Sequence, residues 1–159
     1  MDTSAELEAD WPNLAKTTYE ITSKFTSEYN CIAWAINNED DRWWSPAPEE
    51  DYYWPDGAPR EQTLQAFIIA FQICGYEICT NAEIEAGFEK IAIYVKEDGK
   101  PQHVAKQLDD GMWTSKLGRY EDIKHELDGL VGELYGNVQQ LMKRALEDFG
   151  EIILSKTFP

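Results

Sequence analysis

The chain has 159 residues, 43% of them hydrophobic and 13% aromatic, enough apolar content for one folded domain with its own core. Fourteen Lys and Arg stand against thirty Asp and Glu, a formal net charge of −16. Phosphate contacts need clustered cations, so this balance argues against nucleic-acid binding and against docking on an anionic membrane. It leaves solubility, or a partner with a basic surface, as the meaning of the charge.

The first fourteen residues, MDTSAELEADWPNL, have neither a basic stretch nor an apolar one, so they do not read as a secretory signal. No apolar run approaches the ~18 residues of a membrane-spanning helix. The expected setting is a reducing cytoplasm. Three cysteines, Cys31, Cys74 and Cys79, are an odd count that argues against a disulfide framework. A structural zinc is not expected either, because there are only two histidines, His103 and His125, and no second Cys pair. No cofactor is implied.

Residues 1–27 read as a polar arm that packs through Trp11 and Leu14. Thr26 or Ser27 is placed to cap a short, mostly apolar helix, EYNCIAWAIN, that carries Cys31 in its first turn. Residues 38–60 follow as a long irregular loop. Its four prolines exclude regular helix or central strand. Its aromatics Trp43, Trp44, Tyr52, Tyr53 and Trp54 suit either a stacking cleft for a peptide or sugar or the pinning of the loop to the body. A strong helix is predicted from Glu61 to Cys74, with Leu64, Phe67, Ile68 and Phe71 on its buried face and Gly75 at its end. Residues 76–79 read as a short strand and 81–89 as a linker.

The hydrophobic period then shortens to two. Ile91, Ile93 and Val95 alternate with Ala92, Tyr94 and Lys96, a strand. Turns at 97–101 and at Asp109-Asp110-Gly111 separate it from strands HVAKQL and MWTSKL. Residues 120–128 and 138–149 read as helices, the second amphipathic, and Ile152–Leu154 as a last strand. His125 falls in the first of these helices as a solvated residue and a fallback base. Lys116 is expected to be a surface charge, and Cys74 and Cys79 buried thiols. The order of elements is α+β.

Cys31 is the residue to which chemistry is assigned. A thiol reacts as the thiolate, and a helix N-terminus favours the negative form. An imidazole beside it completes the activation, and His103, opening a strand, can offer one. Ser115, across the Asp-Asp-Gly turn, is placed to hold that imidazole in one tautomer. The Cys31 N–H and the Asn30 side chain are candidate oxyanion donors. Trp113 joins Trp43, Trp44, Tyr53 and Trp54 as a candidate substrate contact.

A helix-borne Cys followed by a hairpin that opens His-Val-small resembles the papain-like clan of thiol hydrolases, and within it the bacterial NlpC type of cell-wall amidase and endopeptidase. Cys31 and His103 match the motif's first two residues, and Ser115 falls on the third, polar one. Ala105 stands where that family prefers glycine, as does Ala33. The resemblance covers about residues 28–37 and 90–117. It implies a papain-like α+β layout and a Cys–His–polar site acting on an amide, isopeptide or thioester bond of a peptide-like substrate. The chain also resembles a family of short bacterial proteins that share NC-x-AWA, YWP, HxAKQ and WTSKLG, a likeness that implies no activity. The alternative is a catalytically inactive, acidic binding or inhibitory protein on the same scaffold, facing a basic partner.

Overall fold

The computed structural model describes residues 4–23, 57–59, 61–117 and 122–146. The helix expected at Cys31, its capping residues Thr26 and Ser27, the aromatics Trp43, Trp44, Tyr52, Tyr53 and Trp54, and the strand expected at Ile152–Leu154 lie outside them. The described residues form an α+β fold built on a seven-stranded sheet whose pairings are all antiparallel. In chain order the elements are helix α1 (Ser4–Asp10), a 3-10 turn (Pro12–Lys16), strand β1 (Tyr19–Ser23), helix α2 (Leu64–Ile73) and strand β2 (Glu77–Cys79). Strands β3 (Phe88–Val95), β4 (Pro101–Gln107), β5 (Trp113–Lys116) and β6 (Asp122–His125) follow, then a second 3-10 turn (Leu127–Leu130) and β7 (Asn137–Ala145). Across the sheet the order is β1-β6-β5-β4-β3-β7-β2.

Local chemistry explains the ends of α2. Thr63 Oγ1 accepts the Ala66 N–H, so the helix starts at Leu64, inside the expected boundary. At the other end Gly75 takes φ +99°, and Tyr76 N–H donates to the Phe71 carbonyl while Gly75 N–H donates to Gln72, the paired bonds of a Schellman stop. The β4–β5 turn follows the Asp-Asp-Gly signal. Gly111 takes φ +89° and donates to the Leu108 carbonyl, and Asp110 caps the Met112 N–H.

Both sheet faces are covered. Ile91, Ile93, Val95, Val104 and Met142 pack with Phe67, Ile68 and Phe71 of α2. Ala92, Tyr94, Ala105, Trp113, Leu117 and Ile123 pack on the opposite face with Leu7, Trp11, Leu14 and Leu130. The amino-terminal segment therefore packs through Trp11 and Leu14, as expected, but as ordered elements that continue into an edge strand. Each large side chain fully buried in this way contributes roughly 2–3 kcal/mol of transfer free energy.

Two expectations are corrected. Residues 122–125 form β6, and 137–145 form β7, where helices were read. β7 pairs with both β3 and β2, and β6 with both β1 and β5. Pairing on both edges overrides the helix propensity of their Gln, Lys, Arg, Leu and Met residues. No helix is therefore added after β5 among the described residues, which hold α1 and α2 alone apart from the 3-10 turns. No helix among them is long and apolar enough to cross a membrane.

Candidate active site

His103 lies on β4, Ser115 on β5 and His125 on β6, three consecutive neighbours in the sheet. Ser115 pairs with Ile123 and Trp113 with His125, so side chains two residues apart on adjacent strands meet diagonally on one face. The result is a chain of hydrogen bonds. His103 Nε2 lies 2.8 Å from Ser115 Oγ. Ser115 Oγ lies 2.7 Å from His125 Nε2. His125 Nδ1 lies 2.7 Å from the Glu126 carbonyl oxygen. All three side chains are fully buried.

The polarity of this chain follows from its last member. A carbonyl oxygen only accepts, so His125 Nδ1 carries the proton. In the neutral ring His125 Nε2 is then bare and accepts the Ser115 O–H. Ser115 Oγ has no second proton to give, so it accepts from His103 Nε2–H. His103 Nδ1 is left bare. That atom is buried and has no hydrogen-bond partner among the described residues, an uncommon condition for a buried polar atom.

Burial keeps both rings neutral. Desolvation pushes His125 down to about 4 from an ordinary 6.5, partly offset by its bond to the Glu126 carbonyl. Desolvation, and then the neighbouring His125, hold His103 well below the ordinary histidine value. The walls are aromatic. Tyr135 stacks on His103 with centroids 4.3 Å apart and planes within 1°. Tyr94 is tilted against the same ring at 5.5 Å and donates its O–H to the Leu127 carbonyl. Tyr135 is carried by a tight turn between Gly132 and Gly136, closed by hydrogen bonds in both directions.

The expected partnership of His103 and Ser115 is thus present as a hydrogen bond. His125 is placed differently from the expectation, in a buried strand and in the network itself. The sequence signal for it was slight: Ile123 and His125 share a face around Lys124, a period of two over four residues. Trp113 and Lys116 are buried too, at 3% and 1% exposure, the first inside the apolar cluster. Cys74 and Cys79 are half-buried free thiols, both raised above the ordinary value, chiefly by desolvation. Cys31 and Asn30 lie outside the described residues. A surface hollow of about 630 Å³, lined by residues such as Lys96, Val131, Gly132, Glu133, Gly136 and Asn137, borders the turn that carries Tyr135. Among the described residues no group of three or more His, Cys, Asp or Glu side chains could hold a metal ion.

Compared with known proteins, residues 20–143 match a family described as a domain of unknown function (DUF7689). That match spans most of the chain, which therefore belongs to this family. No curated protein and no solved structure matches.

Proposed function

For this member of the DUF7689 family we propose a cysteine hydrolase or acyltransferase of papain-like layout, acting on an amide, isopeptide or thioester bond. Cys31 is its nucleophile, His103 its general base and Ser115 the group that orients His103. The observation that carries the reading is the buried Nδ1 of His103, which has no hydrogen-bond partner among the described residues and which the donor order of the network leaves without a proton, on a strand that resembles the base-bearing strand of thiol hydrolases.

The chemistry is that of two acyl transfers. The Cys31 thiol gives its proton to His103 Nδ1, and the sulfur attacks the substrate carbonyl carbon. The oxyanion is met by the Cys31 N–H and the Asn30 amide. Collapse breaks the carbonyl bond to the leaving amine or thiol, which takes the proton from Nδ1 and leaves a thioester on Cys31. Water, or an acceptor nucleophile, then gives a proton to Nδ1, attacks that thioester and restores the thiol. A buried ring resists charge, but the thiolate formed beside it is a counter-charge that offsets the desolvation. The aromatic loop bearing Trp43, Trp44, Tyr53 and Trp54 is the proposed substrate contact, and a cytoplasmic peptide-like amide the proposed substrate class. Trp113, buried in the core, is not proposed as a contact.

The test is acylation with p-nitrophenyl acetate, followed by intact mass and peptide mapping. One acetyl group is expected on Cys31. Its formation should slow by about 100-fold or more in His103→Gln, in keeping with the worth of a general base. Acetylation confined to lysines, Cys74 or Cys79 would count against the hydrolase. A second reading, an inhibitory protein for a basic partner, rests on the net charge of −16. It gains if Cys31 stays unmodified while the folded protein binds a cationic partner with an affinity that falls as salt rises.

A further inference from the structure

We infer that His125 is a positioning residue that acts on His103 through Ser115: it fixes the His103 tautomer with the proton on Nε2, so that Nδ1 stays bare. This inference rests on the reading of His103 as the base.

The direction in which each group can donate decides the tautomer. Ser115 has one proton and sits between two ring nitrogens at 2.8 and 2.7 Å. With His103 alone it could donate to Nε2, which would move the ring proton to Nδ1 and abolish the base. With His125 alone it could do either. The backbone removes the choice, because the Glu126 carbonyl demands the His125 proton on Nδ1. His125 Nε2 then demands the Ser115 proton, and Ser115 demands the His103 proton on Nε2. A serine by itself orients an imidazole without choosing its tautomer, since a hydroxyl donates as well as it accepts. The second histidine supplies that choice. It is firmly anchored, because β6 is paired on both sides and the ring is buried. The stacked Tyr135 ring holds the plane of His103 but carries no information about its protons.

The test is ¹⁵N NMR of histidine-labelled protein at pH 7.5, where one-bond and long-range couplings distinguish a bare ring nitrogen from a protonated one. Wild type is expected to show His103 with Nδ1 bare and Nε2 protonated, and His125 the other way round. In His125→Phe, which removes the acceptor, the His103 tautomer with the proton on Nδ1 should become the major form or exchange with the other. In His125→Gln the amide oxygen can still accept the Ser115 proton, and the wild-type tautomer should return. A wild-type His103 already protonated on Nδ1 would overturn the inference. So would a folded His125→Phe with an unchanged tautomer. If His125→Phe does not fold, Ser115→Ala breaks the same chain and should likewise release the tautomer, and the wild-type spectrum decides by itself. The measurement needs no substrate. A failed acylation of Cys31 with the expected tautomers would refute the hydrolase and leave the relay standing, and the reverse pattern would do the opposite.

Discussion

Replacing Gly136 by alanine is expected to cost about 3 kcal/mol or more of folding stability. The residue takes φ +76°, the left-handed region where a Cβ is disfavoured. A Cβ built there would collide with the Val95 carbonyl oxygen and stand 2.6 Å from Lys96 Cα. These are backbone atoms at the end of β3, held by pairing with β4 and β7, so they cannot swing aside as a side chain would. The consequence reaches the site, because Gly136 closes the turn that presents Tyr135 to His103. Urea unfolding of the variant should show a lowered midpoint with an unchanged slope. A loss below about 1 kcal/mol would mean that the turn yields easily and that Tyr135 is not held as described.

The second large effect is a loss of stability on acidification. His125 titrates at about 4 when folded and near 6.5 ordinarily, and His103 is lowered in the same sense. Between those values the unfolded chain binds protons that the folded one refuses, so stability rises with pH across this window. The contribution is fully present above about 6.5 and is lost as pH falls through about 4. For His125 alone the difference amounts to about 3 kcal/mol. Relief of repulsion in a chain of charge −16 works in the opposite direction as pH falls. The informative quantity is therefore the difference between wild type and His125→Gln, which share that repulsion. Wild type should lose more stability than the variant from pH 7 to 4.5, by denaturant unfolding at each pH. Parallel curves would mean that His125 is charged or exposed in the folded protein.

Elements with local punctuation were the ones legible in the sequence. Gly75 closes α2, and the turn residues around Gly99 and Gly111 mark the two hairpins. The bond between His103 and Ser115 followed from those hairpins, since a short turn leaves little freedom in which side chains meet. β7 was hidden because both of its faces are used. Met142 packs on the α2 side and Leu141 against the opposite cluster, so the alternation of a one-sided strand is missing. Its Lys143 and Arg144 fit equally well the polar side of the amphipathic helix read over 138–149. In the structure they pair with Glu85 and Glu89 and lie over the rings of Phe88 and Tyr76. β6 is four residues long, two of them helix-compatible charges, and its identity rests on its partners, the remote Tyr19–Ser23 and the preceding strand Trp113–Lys116. His125 was lost with it. A buried histidine and a solvated one look the same until the strand on either side is known.

The proposed chemistry requires His103 to offer a bare nitrogen to the Cys31 thiol. Its most direct test is the rate of iodoacetamide alkylation at Cys31 against pH, in wild type and in His103→Gln. Cys74 and Cys79 serve as internal standards, since burial raises both. Wild-type Cys31 is expected to react with a midpoint well below the free-thiol value of about 8.5. The substitution should move that midpoint back up and slow the reaction at pH 6 by about tenfold or more. A Cys31 that alkylates with an ordinary or raised midpoint, indifferent to the loss of His103, would contradict it.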